Sequence, residues 1–257
     1  MTFTAISDIH IKSSSDQRYK LLINFINHQL VCHSDQIFLL GDIFDLAIGG
    51  HAEYYDLYSE FFDRLINLSK QGKTIRFFEG NHDFHLEGLF EYLQSEKGLE
   101  NFYYYKKDFQ TIINKKIFIF DHGDNIEQDE TIYILWKSFI NNPFMKLIMN
   151  DFFRFKFIQK IGFILSKKSR KRNASKYENT ESQEMIRVKY RKNAKIFYQK
   201  RKFDFLIMGH SHVHEELITE RYGYFNCGYL PITKCFLYFN GELVKSVEIN
   251  EQLPSSQ

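Results

Sequence analysis

The chain has 257 residues and a mass of 30.9 kDa, which is enough for one large α/β domain or for a domain that carries an insertion. Aromatic residues make up 17% of the chain and only 3 residues are proline, a composition that excludes a largely disordered protein. The 3 cysteines are widely spaced and form no CxxC motif, which argues against a disulfide framework or a structural zinc site and favours a reducing cytoplasm. Residues 1–8 lack the basic start and apolar run of a signal peptide, so export by that route is not expected.

Charge is distributed unevenly, although the formal net charge is only +2. Residues 137–202 contain 19 basic residues (Lys and Arg) and 4 acidic residues (Asp and Glu). The rest of the chain contains 15 basic and 28 acidic residues. This segment therefore carries about +15 and the remainder about −13. We interpret the basic segment as a separate functional element.

The first half of the chain alternates between strand and helix patterns. Apolar residues recur every three or four positions in Arg18–Val31 and Tyr54–Gln71, which predicts two helices. Short runs rich in Ile, Phe and Leu, each followed by polar residues, predict buried strands. These runs are Phe3–Ser7, Gln36–Leu40, Thr74–Glu79, Lys116–Phe120 and, later, Phe203–Met208. Such alternation predicts β-α-β organisation, with strands packed between helices.

The basic segment includes an apolar stretch, Phe144–Leu165, that raises the question of a membrane span. Charged residues interrupt it, and each charge at the centre of a bilayer costs roughly 2.5–3.5 kcal/mol on insertion scales. The pattern therefore favours an amphipathic helix or helix pair. Ser166–Thr180 predicts a basic exposed turn, followed by a further charged helix near Glu181–Arg201.

Short β-rich runs close the chain. Gly223–Gly228, Lys234–Asn240 and Glu242–Ile249 predict an antiparallel set, in which Asn240-Gly241 is a hairpin turn. We expect a core of residues 1–128 and 203–250, a basic, aromatic helical lid insertion at residues 129–202, and a flexible tail at residues 251–257.

Every one of the five predicted α/β strands ends on a polar segment. In open α/β sheets, ligands bind outside the carboxyl ends of the strands, so separate strands can deliver their side chains to one crevice. Alternate residues of an extended chain also point to the same side. The segments are Asp8-Ile9-His10, Gly41-Asp42-Ile43-Phe44-Asp45, Gly80-Asn81-His82-Asp83, Asp121-His122-Gly123-Asp124 and Gly209-His210-Ser211-His212.

These segments offer carboxylate, imidazole and amide ligands without a thiolate, a set that suits Mn²⁺, Fe²⁺ or Zn²⁺. The number of ligands exceeds the needs of one ion, so two ions that share a bridging carboxylate such as Asp42 are expected. Asp45, Asp83 and Asp124 can instead be turn formers or partners of the ligands. A hydrophobic core does not need ionisable residues at five strand ends, so the joint pattern indicates chemistry.

The ordered pattern DxH, GDxxD, GNHD, HGD and GHxH resembles that of the calcineurin-like metallophosphoesterases. The resemblance implies an α/β fold, a four-layer α/β/β/α metallophosphoesterase sandwich with a helical lid insertion. It also implies that Asp8, His10, Asp42 and His212 hold one divalent ion and that Asp42, Asn81, His122 and His210 hold the other. Mn²⁺ is the first expectation, with Fe²⁺ or Zn²⁺ as alternatives. Water activated by the ions would attack phosphorus, and His82 would neutralise the developing charge or protonate the leaving oxygen; the catalytic residues would be His82, Asp42 and Asn81.

Within that family, the basic insertion between His122 and His210 resembles the lid of the UDP-2,3-diacylglucosamine hydrolases of lipid A biosynthesis. These enzymes cleave a pyrophosphate to give UMP and 2,3-diacylglucosamine 1-phosphate. In their best-known branch an arginine matches His82, whereas histidine is typical of the wider superfamily and of a sister branch. For such a substrate, an acylated UDP-sugar, we expect contacts at Asn81, His82, Glu130, Phe152, Phe155, Ser182, Gln183, Arg187, Lys189 and His210. Asp129 is the alternative to Glu130 for a hydrogen bond to a sugar hydroxyl, and a solvated acidic turn is the alternative to both.

The same resemblance implies a cytoplasmic enzyme that is peripheral to the inner membrane of a Gram-negative-type bacterium. Cations of the insertion would contact anionic lipid, and its aromatic residues would line an acyl groove. Nucleic acid is not an expected partner, and no obligate protein partner is evident.

Two alternative functions are a phosphodiesterase or pyrophosphatase that acts on a soluble nucleotide and, in another class, a nuclease or nucleic-acid binder that uses the basic segment. A binding module without catalysis would not require every ligand position to be occupied.

Overall fold

The computed structural model describes residues 1–126 and 179–249. The predicted helix at Phe144–Leu165, the predicted tail and the candidate contacts Glu130, Phe152 and Phe155 lie outside the described residues. The strands are β1 (Phe3–Ile6), β2 (Gln36–Leu39), β3 (Ala47–Ile48), β4 (Thr74–Phe78), β5 (Asp83–Phe84), β6 (Phe102–Tyr105), β7 (Phe109–Ile113), β8 (Lys116–Phe120), β9 (Phe205–Met208), β10 (Glu215–Ile218), β11 (Gly223–Asn226), β12 (Cys235–Phe239) and β13 (Val244–Glu248). The described helices are α1 (Gln17–Ile26), α2 (Gln29–His33), α3 (Glu53–Leu57), α4 (Ser59–Lys70), α5 (Glu87–Glu96), α6 (Thr180–Lys200) and α7 (Leu230–Thr233).

Two mixed sheets form the centre of the fold. The first has six strands in the order β13-β12-β1-β2-β4-β6, in which β1, β2, β4 and β6 run parallel. The second has five strands in the order β10-β11-β9-β8-β7, in which β8, β9 and β11 run parallel. Parallel strands end at the same edge of a sheet, so the loops after β1, β2 and β4 leave the first sheet at one edge.

Three hydrophobic clusters separate four layers. The first packs α1, α2, α4 and α5 onto the outer face of the six-stranded sheet through residues such as Leu22, Phe62 and Leu93. The second lies between the two sheets and is rich in phenylalanine. The third packs Tyr190 and Ala194 of α6 onto the outer face of the five-stranded sheet. Each sheet therefore has one face on the other sheet and one face on helices, as in the predicted α/β/β/α sandwich.

Both helices predicted in the first half are divided in two. The first is interrupted because His28 adopts an extended conformation, and its Nδ1 accepts the backbone N–H of Leu30 at 3.2 Å and so caps α2. The second is interrupted at Tyr58, which leaves helical geometry and buries its ring 4.7 Å from that of Phe44. In each case a side-chain contact overrides the continuous apolar periodicity.

The predicted closing antiparallel set is only partly right. β12 and β13 form the expected hairpin, and the side-chain oxygen of Asn240 accepts the backbone N–H groups of Glu242 and Leu243 at 3.0 Å each. β11 instead pairs parallel with β9 in the other sheet, because Tyr224 and Phe225 are buried on opposite faces. The sequence pattern also does not predict β6, β7, β10 or α5.

Among residues 1–126 and 179–249, each helix is too short or too polar to span a bilayer. The helix expected near Glu181–Arg201 is present as α6. Its buried residues pack on the second sheet, so the last part of the expected insertion contacts the core directly.

Candidate metal centre

The polar loops at the ends of the parallel strands are hydrogen-bonded to one another. The loop after β1 is joined to the loop after β2, with Asp8 N donating to Gly41 O at 3.1 Å and His10 N donating to Asp42 O at 3.0 Å. In the second sheet, Gly209 N donates to His122 O at 2.9 Å. Two further contacts join the sheets, between His122 Nδ1 and Leu40 O at 2.8 Å and from His210 N to Asp8 Oδ2 at 2.8 Å, so the predicted side chains of both sheets share one crevice.

Five of the predicted ligands have a left-handed backbone. Their φ angles lie between 52° and 66°, a region that residues other than glycine seldom occupy. Such strain persists only where the surrounding structure enforces it, and it clusters at functional sites. The five residues are Asp8, His10, Asp42, His210 and His212.

Two glycines are required by close approach between these loops. A Cβ at Gly209 would overlap the Ser7 hydroxyl and Asp8 Oδ2, and a Cβ at Gly80 would overlap the backbone and carboxylate of Asp42. Both glycines therefore have a role beyond ending a strand.

The first cluster of donors contains Asp8, His10, Asp42 and His212, whose ligand atoms all lie within 4.8 Å of one another. His212 Nε2 lies 3.1 Å from His10 Nε2 and 3.3 Å from Asp8 Oδ1. Two imidazole nitrogens and a carboxylate oxygen thus converge on one point. This is the geometry in which side chains surround a cation.

The second cluster contains Asn81, His122 and His210, together with Asp42. Asn81 Oδ1 lies 3.1 Å from His122 Nε2 and 3.1 Å from His210 Nδ1, and the two imidazole nitrogens are 3.2 Å apart. His122 Nδ1 lies 2.8 Å from Leu40 O, a contact that requires its proton on Nδ1. The lone pair of Nε2 is therefore directed into the cluster.

Asp42 lies between the two clusters. Its Oδ2 is 3.7 Å from His10 Nε2 and 3.7 Å from His122 Nε2. Its Oδ1 accepts the backbone N–H of His82 at 2.8 Å, which fixes the plane of the carboxylate. One oxygen is thus fixed by the protein and the other faces both clusters.

Asp83 supports this arrangement by accepting backbone N–H groups of the loop that contains Asp42. Its Oδ1 accepts N–H groups from Asp42 at 2.8 Å and Gly80 at 2.9 Å, and its Oδ2 accepts them from Ile43 at 2.7 Å and Phe44 at 3.2 Å. Burial nevertheless raises the pKa of Asp83 to about 7. Asp83 therefore organises the loop that presents Asp42.

Asp45 and Asp124 are also buried, at the margin of the clusters. Asp45 O lies 2.7 Å from His82 Nδ1, and its carboxylate lies within 4.8 Å of ligand atoms of His10 and His82. Burial, followed by the charge of Asp124, raises the pKa of the neighbouring Asp121 to about 7. Asp121 Oδ1 accepts the N–H of Gly123 at 2.9 Å, which shapes the turn after His122.

The electrostatics of the clusters are those of crowded, buried ligands. Burial lowers the pKa of His10 well below its usual value and lowers that of His122 to about 4, so both rings are neutral near pH 7. Burial, with Asp83 and Asp8 nearby, raises the pKa of Asp42 well above its usual value. For Asp8 burial acts in the same direction, but His212 outweighs it and the pKa of Asp8 is lowered.

The residues present fit divalent cations. Asp8 Oδ2 accepts the Ser7 hydroxyl and, at 2.8 Å, the backbone N–H of His210, whereas the buried Asp8 Oδ1 accepts no hydrogen bond from the described residues. A buried carboxylate oxygen without a donor is costly unless a cation neutralises it. Neutral imidazoles and carboxylates are also the forms that bind metal.

His82 lies at the open side of the clusters. Its ring contacts that of His10 edge to face at 4.6 Å, and it is half-buried. Burial lowers the pKa of His82, while the hydrogen bond to Asp45 O opposes this shift. With Nδ1 bonded to Asp45, Nε2 is the nitrogen that an incoming group would meet.

The other predicted substrate contacts that the structure describes lie on α6. Ser182, Gln183, Arg187 and Lys189 are in its first half, on the helix that covers the second sheet. Arg187 forms ion pairs with Glu184 at 3.4 Å and with Glu215 at 4.0 Å. The structure thus brings together the seven predicted metal ligands and His82, while contact of the α6 residues with a substrate stays a prediction.

The last residue of β11 and the segment after it contribute to the centre and are missed by the sequence patterns. Asn226 Nδ2 donates to Gly209 O at 2.6 Å, and the ring of Tyr229 stacks on that of His212 at 5.2 Å. The signal that could have found them is the polar Asn226–Tyr229 run at the end of an apolar strand, the same pattern as at the other strand ends.

A third group of ligand-type atoms, from Glu79, His85 and Glu87, lies within 4.8 Å of one another. It already has a cation, because Lys106 Nζ pairs with Glu87. Glu79 Oε1 also accepts the Tyr104 hydroxyl at 2.6 Å. This group is therefore an ion-pair network that braces β4 and β6.

Comparison with protein families gives a match over most of the chain. Residues 1–214 match the family described as calcineurin-like phosphoesterase. The matched region includes all seven predicted metal ligands and ends shortly after His212.

The curated relatives and the solved structures have low sequence identity to this chain. A UDP-2,3-diacylglucosamine hydrolase of Haemophilus influenzae strain PittGG is 25% identical over 229 residues, which cover 85% of this chain and 85% of that protein. One of the same name from Aliivibrio fischeri strain MJ11 is 27% identical over 155 residues, or 58% of this chain and 59% of that protein. A solved structure described as an archaeal phosphodiesterase is 12% identical, with a TM-score of 0.48, and covers 96% of this chain and 99% of that one.

Proposed function

The chain belongs to the calcineurin-like phosphoesterase family and is a metal-dependent phosphoesterase, and from this premise we propose that it hydrolyses the pyrophosphate of UDP-2,3-diacylglucosamine. The products are UMP and 2,3-diacylglucosamine 1-phosphate. Two divalent ions serve the reaction, with Mn²⁺ as the first choice and Fe²⁺ or Zn²⁺ as alternatives.

The observation that carries the chemistry is the position of Asp42 Oδ2, at 3.7 Å from an imidazole nitrogen of each donor cluster. A carboxylate in that position would be a ligand of both ions, which would supply the electrostatic stabilisation used in displacement at phosphorus. Asp8, His10, Asp42 and His212 would hold one ion, and Asp42, Asn81, His122 and His210 the other. The choice of substrate is supported by relatives that carry the hydrolase name along most of this chain's length.

When bound, the ions supply Lewis acidity, which lowers the pKa of water and offsets negative charge on the phosphoryl oxygens. The protein fixes the donors before substrate arrives. Asp83 accepts the backbone N–H of Asp42, and Leu40 O holds the proton of His122 on Nδ1. Because both contacts exist without substrate, little reorganisation is required at the moment of reaction.

His82 and Asn81 act on the phosphoryl group. Asp45 O holds His82 Nδ1, so Nε2 faces the opening of the crevice. An anionic phosphate beside the ring favours its protonated form, which can neutralise charge in the transition state or protonate the leaving oxygen. Asn81 Oδ1, between His122 and His210, fixes the amide at the same place.

Recognition of the acylated UDP-sugar is assigned to the basic, aromatic segment and to residues beside the metal centre. Ser182, Gln183, Arg187 and Lys189 of α6 and Glu130 would contact the polar head, and Phe152 and Phe155 the acyl chains. The cations of residues 137–202 favour peripheral contact with an anionic leaflet, where each contributes about 1 kcal/mol. We propose a cytoplasmic enzyme at the inner membrane of a Gram-negative-type bacterium.

The experiment that tests this function measures UMP release from UDP-2,3-diacylglucosamine with Mn²⁺ and detergent. UDP-N-acetylglucosamine and bis-p-nitrophenyl phosphate are run beside it as soluble substrates. Selective cleavage of the acylated substrate is expected. Hydrolysis of only the soluble compounds would be consistent with phosphoesterase activity but would contradict the proposal that the substrate is the acylated UDP-sugar.

The His122→Ala variant is the control for the site. It loses one donor of the second cluster and is expected to abolish release of UMP. A variant with near-wild-type turnover would contradict the assignment of the donors.

A further inference from the structure

His212 differs in exposure from the other donors of its cluster. The side chains of Asp8, His10 and Asp42 are 0%, 7% and 2% exposed, whereas that of His212 is 19% exposed. Buried side chains are confined by the surrounding packing, but a partly exposed imidazole keeps freedom to rotate. His212 also has a left-handed backbone, with φ 59°. Its Nε2 contacts His10 Nε2 at 3.1 Å and Asp8 Oδ1 at 3.3 Å, and a neighbour that covers the ring face would restrict its rotation further.

Tyr229 supplies a flat surface against this ring. The rings of Tyr229 and His212 are nearly parallel, with an interplanar angle of 12° and centroids 5.2 Å apart. The Tyr229 ring also lies 6.0 Å from that of His10. Offset parallel contacts at such distances are favourable for aromatic rings.

The backbone of Tyr229 is itself fixed. Its N–H donates to His212 O at 3.1 Å, and its carbonyl accepts the N–H groups of Ile232 at 3.0 Å and Thr233 at 3.1 Å. The preceding Gly228 has φ +73°, and a Cβ there would approach the backbone of His214 too closely. The ring is therefore presented by a rigid turn that is bonded to the ligand it covers.

We propose that Tyr229 is a positioning residue, which holds the His212 imidazole in its metal-binding orientation by ring stacking. The inference rests on the proposed metal centre and assigns the positioning of His212 to the face of the Tyr229 ring. Tyr229 does not coordinate the ion. It restricts the rotation of a ligand that its own surroundings leave partly exposed.

Metal titration of the full-length, metal-free protein tests the proposal without reference to turnover. Tyr229→Leu keeps apolar bulk and loses the flat ring, so it is expected to weaken the affinity of the first cluster by about tenfold, as changes beside metal ligands commonly do. Tyr229→Phe keeps the ring and is expected to match the wild type. With Co²⁺ as the probe, the visible absorption should change in Tyr229→Leu and remain in Tyr229→Phe.

Tyr222→Leu is the matched control. Tyr222 is also half-buried and stacked, on Tyr198 at 4.7 Å, but its ring packs against α6. The affinity of the Tyr222→Leu variant for Co²⁺ should equal that of the wild type. Wild-type affinity in Tyr229→Leu would overturn the proposal, and so would a loss in Tyr229→Phe as large as in Tyr229→Leu.

The His212→Ala variant distinguishes a failure of the Tyr229 proposal from a failure of the proposed metal centre. If removal of the imidazole does not weaken metal binding, the proposed metal centre fails. If His212→Ala weakens binding and Tyr229→Leu does not, the centre stands and only the role of Tyr229 is wrong.

Discussion

The layer between the two sheets is apolar, whereas the crevice at the strand ends contains buried ionisable side chains. The same strands supply the first and lead into the second. Phe3, Phe38 and Phe120 lie on strands, and Asp8, Asp42 and His122 lie in the loops that directly follow those strands. In the layer, fully buried rings pack closely, and those of Phe38 and Phe120 are stacked at 3.7 Å. In the crevice, carboxylates and imidazoles are buried on a left-handed backbone.

The apolar layer contributes mainly to stability, and the polar crevice contributes mainly to function. Burial of apolar rings stabilises the fold, whereas burial of ionisable groups and left-handed residues costs free energy unless a ligand compensates. The layer should therefore tolerate substitution only at the expense of stability. The crevice should tolerate it only at the expense of activity.

The largest expected effect comes from Asp42→Asn. Loss of the shared carboxylate should reduce hydrolysis at least about 10³-fold. Because burial raises the pKa of Asp42, its ionised form is unfavourable in the metal-free protein, so the free energy of unfolding should stay the same or increase. Turnover and denaturant unfolding of the metal-free variant measure both, with the exposed Asp56→Asn as control. A strongly destabilised Asp42→Asn would show that the crevice contributes to stability after all.

Phe38→Ala should produce the reverse. It removes a fully buried ring and should lower the free energy of unfolding by about 3–5 kcal/mol, with kcat retained in the folded fraction. Ile112→Ala, at a side chain that is 68% exposed, should change it by less than about 0.5 kcal/mol. Urea titration compares the two. A Phe38→Ala protein with the wild-type free energy of unfolding would contradict the stabilising role of the apolar layer.

His82→Ala tests the open side of the crevice. It should lower kcat by about 10²-fold or more, because the ring is proposed to act on the transition state. His82→Arg keeps a cation and should retain more activity than the alanine variant toward the acylated substrate. Steady-state kinetics give kcat and KM separately, and a change confined to KM would reduce His82 to a binding residue.

The smallest expected effect lies outside both regions, at His28. Burial lowers the pKa of its imidazole, whose Nδ1 must be unprotonated to cap α2. The unfolded chain therefore takes up the proton first as the pH falls below about 6.5, and this contribution to stability is present above that value and lost below it. His28→Asn, which can cap without titrating, should make unfolding slightly less sensitive to pH between 7.5 and 5.5. Equal pH dependence of unfolding in the wild type and in His28→Asn would show that titration of His28 does not contribute to stability.

Much of the crevice could be predicted because its signal is local. Polar residues directly after apolar runs mark Asp8, Asp42 and His122, and the parallel strands bring these ends together. The apolar runs predict only buried strands packed between helices. The four-layer α/β/β/α sandwich is an expectation from the resemblance to the metallophosphoesterases.

The features that could not be predicted depend on contacts between distant segments. Tyr58 interrupts a helix because its ring packs on Phe44, and β11 joins the second sheet because both of its faces are buried. Tyr229 reaches His212 only through the turn at Gly228. The division of the chain at residues 128 and 203 stays a prediction.

The number of Mn²⁺ ions bound to the full-length chain, and the magnetic coupling between them, test whether the two donor clusters form one shared metal centre. Metal analysis should find two ions per chain, and electron paramagnetic resonance should show that they are magnetically coupled, because Asp42 is proposed to be a ligand of both. Asp42→Asn should abolish the coupling. A single bound ion in the wild type, or two ions without coupling, would contradict the shared centre.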